Sequence, residues 1–426
     1  MFIRGLARTT KTSLHMRDST DHEQKLLTKV DGLSNKLVSI TKDLVHFKST
    51  NPPGDESEIA EYVYAYLNSL GFKTRKIRTG EKRVNVIGKL EPKKGPKRAK
   101  TIIFNGHMDV VPVADLDQWT IDPFEPKLRD GYLIGRGTED MKGAIAACLT
   151  AAKAIVDGGF EPTSNVEIHA VADEENGSKF GTRALIAKGL VKGDMAVVME
   201  GSMFNGRIHI RSAVRGLHWI EVKTKGRAIH GSRPESGVNA VLKMSKILLA
   251  LDNYTVKHTP HKLLPTPTLA AGTIISGGVR ENVIPPSCIA TLDLRVLPGM
   301  TEEGNLQEIN SVIQSLAKDD KDLEAVVQTR FFWPPGEVDE SEGVIQLAKA
   351  ATERVVGYPL EPKGSSGSND STFINSSTNI PAVAFGPGDV LAGKAHGADE
   401  SVSVESLRNF AKIYALMALN ASKYAG

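Results

Sequence analysis

Cysteine is scarce in this chain: Cys148 and Cys288 are the only two in 426 residues. Both lie in apolar surroundings and cannot build a disulfide framework, which fits a reducing compartment. Long apolar runs are missing too. None approaches the roughly 18–20 residues of a membrane span, so no membrane partner is expected. Charge is nearly balanced, at a formal +3, and aromatics make up only 6% of the residues. The basic residues are scattered with few aromatics among them, which argues against nucleic acid as a partner. Internal repeats and long low-complexity tracts are absent; G-S-S-G-S-N-D-S at 364–371 is the one small-residue loop.

What is present is the composition of a globular enzyme, 40% hydrophobic and 24% charged, in a chain long for a single core. The first residues, M-F-I-R-G-L-A-R-T-T-K-T-S-L-H-M-R, are basic and hold no acid before Asp18. They read as a tail, with Met16 as a second candidate initiator, or as a mitochondrial transit segment; a cytoplasmic location is the expectation. From Asp31 to Leu70 apolar residues recur at helical spacing, broken by P-P-G at 52–54.

T-I-I-F-N (101–105), N-V-E-I-H-A-V (165–171), M-A-V-V-M (195–199) and P-A-V-A-F (381–385) read as strands. Three of the four are nearly continuous apolar runs, as expected of a sheet covered on both faces. M-K-G-A-I-A-A-C-L-T-A-A-K-A-I-V (141–156) reads as a helix between the first two, so the order implies an α/β layer architecture. Near residue 212 the pattern changes. L-H-W-I-E-V-K-T (217–224) and C-I-A-T-L-D-L-R-V-L-P-G (288–299) alternate, and G-V-N-A-V-L-K-M-S-K-I-L-L-A-L (237–251) is amphipathic. Ala290, Leu292, Leu294 and Val296 then share one strand face, with Thr291, Asp293 and Arg295 on the other. The organisation read from these shifts is a tail at 1–25, a catalytic domain at 26–211 and 331–426, and an inserted α+β domain at 212–330.

In an open α/β sheet, ligands bind beyond the carboxyl ends of the strands. Beyond each strand end here stand acids and histidines: Gly106-His107-Met108-Asp109, Asp173-Glu174-Glu175, Glu200, and Ala395-His396-Gly397-Ala398-Asp399-Glu400. The long helix starts straight after Gly135-Arg136-Gly137-Thr138-Glu139-Asp140. No Lys or Arg cluster is interleaved there, so a divalent metal is the natural counter-charge to this repulsion. Imidazole and carboxylate without thiolate suit Zn, with Co or Mn as substitutes. Five ligands for two ions, one carboxylate shared, leave room for a hydroxide between the ions. Taken singly the groups are weaker signals. Asp140 alone reads as a helix N-cap, Glu200 as a surface acid, Asp399 and Glu400 as solvated, and His46 and His169 as structural.

Together, G-H-M-D-V-V-P, G-R-G-T-E-D-M-K-G, D-E-E-N-G, Glu200 and H-G-A-D-E resemble the five-part signature of a dinuclear zinc amidohydrolase and metallopeptidase family. That family includes acetylornithine deacetylase, succinyl-diaminopimelate desuccinylase, aminoacylase and carnosinase-type dipeptidases. W-T-I-D-P-F (119–124), G-R-A-I-H-G-S-R-P (226–234) and N-V-I-P (282–285) also look like family segments, and the likeness runs from about residue 30 onward. Ala144 departs from it, since many members carry a second glycine after M-K-G.

The resemblance implies a zinc-exopeptidase-like α/β/α catalytic domain with an inserted ferredoxin-like lid, through which a homodimer forms. His107 and Glu200 would hold one zinc, Glu175 and His396 the other, and Asp140 would bridge. Asp109 would orient the His107 ring, Glu174 would be the general base, and the Asp140-Met141 peptide would be cis. His230 would stabilise the oxyanion in the partner's active site, and Asn282 and Arg295 would bind a substrate carboxylate. Gly367, Ser368 and Asn369 would contact the substrate backbone. A salt bridge to Asp293 competes for Arg295. The activity implied is hydrolysis of the amide of a small N-acyl amino acid, of the acetylornithine or succinyl-diaminopimelate kind. The alternatives are a metallo-carboxypeptidase or dipeptidase, and a binding protein that has lost catalysis.

Overall fold

The computed structural model describes residues 21–93 and 99–425, so the basic segment at 1–20 lies outside the described residues. The chain divides into two compact units. The larger comprises the chain up to Ser212, Val338–Pro362 and the chain from Asn369 on; the smaller is Ala213–Glu337 with Lys363–Ser368.

In the larger unit the main sheet is built from β1 (Lys73–Arg78), β2 (Val84–Leu90), β3 (Thr101–His107), β4 (Asn165–Val171), β5 (Met195–Phe204), β6 (Arg207–Val214) and β7 (Ala382–Asp389). Their order is β1-β2-β4-β3-β5-β7-β6. The central neighbours β4–β3, β3–β5 and β5–β7 are parallel, while β1–β2 and β2–β4 are antiparallel. β5 turns into β6 through Asn205 and Gly206, both at positive φ, the geometry that favours Asn-Gly in a two-residue hairpin.

The apolar strands are continuous because both faces are covered. Ile102, Phe104, Val197 and Met199 face one core, shared with helices α1 (Ser34–His46), α2 (Ser57–Ser69), α3 (Lys142–Asp157), α4 (Gly343–Val356) and α6 (Val404–Asn420). Ile103, Ala196 and Val198 face the other, with Leu185 and with Ile374 of α5 (Asp370–Ser377). Each fully buried Leu, Ile or Phe contributes about 1.5–3 kcal/mol. This three-layer stack fixes the strands, so the residues leaving their carboxyl ends are held on a rigid edge.

The smaller unit has four strands and two helices in the order strand, helix, strand, strand, helix, strand. The strands are Gly216–Lys225, Thr268–Gly277, Ser287–Val296 and Glu324–Trp333, and the helices Ala240–Asp252 and Glu302–Asp319. All neighbouring strands are antiparallel, with Ser287–Val296 and Gly216–Lys225 at the centre. This is the split βαβ, ferredoxin-like arrangement. Ala290, Leu292, Leu294 and Val296 are all buried in its core beside Met244, Ile247, Ile309 and Ile313. The helices begin where side chains satisfy their first amides: Asn239 accepts from the Val241 and Leu242 N–H groups, and Thr301 from Gly304. Among the described residues, no helix is long and apolar enough to cross a membrane.

His218 lies inside this unit, wholly buried, with Nε2 2.8 Å from Thr329 Oγ1 and its ring edge-on to Phe332. Burial lowers its pKa to about 4, so the neutral ring is the folded form. Its contribution to stability is complete above the unfolded value of about 6.5 and is lost as pH falls through 4. We expect acid to destabilise this unit by roughly 3 kcal/mol at pH 4 through this group. Denaturant unfolding at pH 7 and pH 4 should show that drop, and His218→Gln should remove most of it.

Candidate metal centre

The strand ends assemble one acidic edge in the larger unit. His107 is the last residue of β3 and is 1% exposed. Its Nδ1 donates to the Asp109 carbonyl at 2.9 Å, which directs Nε2 toward the carboxylates. That Nε2 lies 2.9 Å from Asp140 Oδ1 and 3.4 Å from Glu200 Oε1. Asp140 turns its second oxygen to the other histidine: Oδ2 is 3.1 Å from His396 Nε2, which is also 3.2 Å from Glu175 Oε2. One carboxylate therefore joins two groups of donors, His107–Asp140–Glu200 and Asp140–Glu175–His396. Within each group the donor atoms lie within 4.8 Å of one another.

Asp140 is no helix cap. The residue before α3 is Met141, no side chain caps that helix, and the Asp140-Met141 peptide is cis.

The D-E-E turn is shaped by the chain leaving β4. Asp173 takes the left-handed conformation, φ +66°, and Glu174–Asn176 closes a single 3-10 turn. The turn points the Glu174 and Glu175 N–H groups at the Asp109 carboxylate, each at 3.2 Å. The Asp109 carboxylate thus accepts from this turn and lies 3.6 Å from His107 Nδ1, whose closer contact is the Asp109 backbone carbonyl.

So many buried carboxylates shift one another. Burial, then the charges of Glu200, Asp370 and Glu175, raises Glu174 well above the ordinary carboxylate range against the pull of His107. Glu175 rises to about 7 through burial and the Asp140 charge. The histidines absorb the negative charge. Hydrogen bonds to Asp140 and Glu175 raise His396 to about 11, and for His107 the nearby carboxylates more than offset burial. Imidazolium protons among these donors are part of the positive charge that the edge holds. A divalent cation would replace them, and the donor set suits it: two imidazoles, three carboxylates, no thiolate. Glu175 Oε1, buried and without a hydrogen-bond partner, fits the same view.

Sequence reasoning missed the layer beneath. Asn51 is buried and donates to Asp109 Oδ2 at 2.7 Å and to Asp173 Oδ1 at 3.1 Å. Its own oxygen accepts from Arg83 Nη2 at 2.8 Å, and Arg83 also pairs with Glu56 and Asp173. Gly54 is required here, because a Cβ would lie 1.7 Å from the Arg83 guanidinium. Asp173, unexplained from sequence, accepts from Asn51 and from the Phe180 N–H, which ties the turn to this network.

Glu400 corrects an expectation. It is wholly buried rather than solvated, paired with Arg136 at 2.6 Å. Nor is the edge without cations: Arg136 pairs with Glu400, and the half-buried Arg211 lies within electrostatic reach of Glu200, Glu139 and Asp140. The only signals in the sequence were the Arg of G-R-G and the last acid of H-G-A-D-E, each close to a ligand. Asp370, in the small-residue loop, accepts from Ser178 and Thr182 and is likewise buried.

The remaining predicted residues belong to the smaller unit. His230 and Asn282 are side by side: His230 bridges to Val283, and the Gly231 N–H donates to the Asn282 carbonyl at 2.8 Å. His230 is exposed, with Nδ1 held by Ser232. Arg295 forms a two-pronged pair with Asp293, at 2.8 and 3.0 Å, which is the competing contact foreseen from the sequence. Gly367 is exposed, and the Ser368 hydroxyl donates to the Arg215 carbonyl. Asn369, assigned to the larger unit, caps α5 by accepting from the Ser371 N–H.

The profile of the peptidase family M20/M25/M40 matches residues 103–420. A succinyl-diaminopimelate desuccinylase of Cereibacter sphaeroides is 31% identical over 395 residues, covering 88% of this chain and 96% of its own length. An N-formyl-4-amino-5-aminomethyl-2-methylpyrimidine deformylase of Bacillus subtilis is 29% identical, covering 90% and 94%. Among solved structures, a dinuclear metal-binding peptidase of Bacillus subtilis superposes with a TM-score of 0.70 at 15% identity, covering 92% and 99%.

The Asn51 network gives a direct test. Asn51→Ala removes both amide donors between Asp109 and Asp173 and should lower stability by about 1–3 kcal/mol. An unchanged denaturation midpoint would show that the two carboxylates do not depend on it.

Proposed function

Because the chain belongs to peptidase family M20/M25/M40 and is a metal-dependent hydrolase, we propose that it cleaves the amide of small N-acyl amino acids. The observation that carries this reading is the single carboxylate of Asp140, with one oxygen on each histidine and a buried glutamate, Glu174, in the adjoining turn. His107, Asp140 and Glu200 would hold one divalent ion, and Asp140, Glu175 and His396 a second, zinc being the best match to these donors. When bound, the ions would polarise the amide carbonyl and acidify water.

The chain's own residues carry the proton. Glu174 takes it from the attacking water as the C–O bond forms, then delivers it to the departing nitrogen as the C–N bond breaks. The products are a carboxylic acid and an amine. Burial and neighbouring charge keep Glu174 a weaker acid than an exposed glutamate, which suits a group that must both accept and return a proton. Asp109 and Asn51 hold the turn that presents it. In the smaller unit, the reading gives the substrate carboxylate to Asn282 and Arg295, the oxyanion in the partner subunit's active site to His230, and backbone contacts to Gly367 and Ser368. Deacylation is favoured over peptide cleavage because both relatives named above carry deacylase names. A cytoplasmic location is part of the reading, supported by two cysteines that stay buried and free.

A homodimer through the smaller unit belongs to the same proposal. Leu242 and Leu249, seven residues apart on one helix, are 61% and 66% exposed, and Ile274 and Ile275 on the edge strand are 61% and 52% exposed. An edge strand with bare amides and apolar neighbours favours pairing with a second copy. Wild type should sediment as a dimer at micromolar concentration, and Leu249→Glu with Ile274→Lys should sediment as a monomer. A monomeric wild type would remove this part of the reading.

The activity test is a panel of acetyl-ornithine, succinyl-diaminopimelate and Xaa-Gly dipeptides with zinc or cobalt. N-acyl substrates should be preferred; a more than tenfold preference for dipeptides overturns the choice. Glu174→Ala should retain metal yet lose about 10²–10⁴-fold in kcat. Unchanged turnover would remove the base assignment.

A further inference from the structure

The two donor groups share Asp140, yet their other members arrive from distant parts of the chain. We propose that Arg136 and Glu400 are the positioning pair that holds Asp140 and His396 in register, and that Arg136 sets the affinity of the Asp140–Glu175–His396 group. The inference rests on the reading of this edge as a dinuclear metal centre.

Glu400 divides its carboxylate between two tasks. Oε1 accepts the backbone N–H groups of Glu139, at 2.9 Å, and Asp140, at 3.0 Å. Oε2 pairs with Arg136 Nη1 at 2.6 Å. The other prong of the guanidinium, Nη2, donates to the carbonyl of His396 at 3.1 Å. One buried ion pair thus grips the backbone of the shared carboxylate with one hand and the backbone of the second histidine with the other.

The register is set by the chain itself. Ser401–Ser403 pairs antiparallel with Tyr132–Ile134, and the Gly135 N–H donates to the Glu400 carbonyl at 2.8 Å. Trp119 covers the guanidinium, 5.3 Å from ring centre to Cζ.

His396 needs such a grip. It is a non-glycine residue at φ +66°, and Lys394 and Asp399 on either side of it are also left-handed. That backbone conformation costs energy unless the surroundings impose it. The bond from Arg136 to the His396 carbonyl is what fixes it and aims the ring at Asp140 and Glu175. Only a fork can do this, because an ammonium cannot hold Glu400 and the carbonyl together in one plane.

Arg136→Lys therefore separates the two tasks. It keeps a cation against Glu400 and should fold, but it gives up the hold on His396. The measurement is a zinc titration of the full chain against a competing chelator, with cobalt absorption as a second readout. The expected result is a first ion bound as in wild type and a second bound about 10–100-fold more weakly. Saturating zinc should restore kcat.

Glu400→Gln, which keeps an acceptor for the two N–H groups but loses the charge, should weaken both ions. Two ions bound by Arg136→Lys with wild-type affinities would overturn the proposal. Equal weakening of both ions in that variant, with a lowered unfolding temperature, would also overturn it, in favour of a general role in the fold. If wild type itself takes up only one ion or none, the dinuclear reading fails first, and the titration separates that failure from the others.

Discussion

Repulsion among buried carboxylates at one edge of a parallel sheet is the constraint around which the larger unit is arranged. Asp109, Asp140, Glu174, Glu175 and Asp370 stand near strand or helix ends within that unit, and Glu200 lies within β5. Water screens them poorly there, so each must be met by a cation or by N–H or O–H donors. Two histidines meet the front row, and Asn51 with Arg83 meets the row behind. The pair of Arg136 with Glu400 ties the loops together at the side. The crowding that is unfavourable without cations is what would favour their binding.

The parts legible in the sequence were those with a local signature. The strands showed as apolar runs because both faces of the sheet are covered. The inner strand of the smaller unit showed as strict alternation because one of its faces is buried and the other is not. The ligands were legible because they cluster near strand ends, where an α/β sheet places chemistry, although Glu200 proves to lie inside β5, which runs on to Phe204.

The supporting layer was not legible, for a physical reason. Asn51 reaches Asp173 across 122 residues and Arg136 reaches Glu400 across 264, so no periodicity or spacing links them. Glu400 in particular follows Asp399 in a polar loop and has the composition of a solvated acid; only the three-dimensional approach of Arg136 makes it a buried one. Asn51 likewise stands before two prolines with nothing local to mark it. Its hydrogen bonds to two carboxylates are a property of the fold.

The shared use of Asp140 has a consequence for how the protein is made. Synthesis runs from the N-terminus, and the acids at 109, 140, 174, 175 and 200 emerge long before His396 and Glu400. A nascent chain on the ribosome therefore carries the repulsive half of the centre first, without the loop that completes it. β7, which pairs between β5 and β6, comes late as well. Translation must pass residue 400 before the last histidine and its supporting acid can join the cluster.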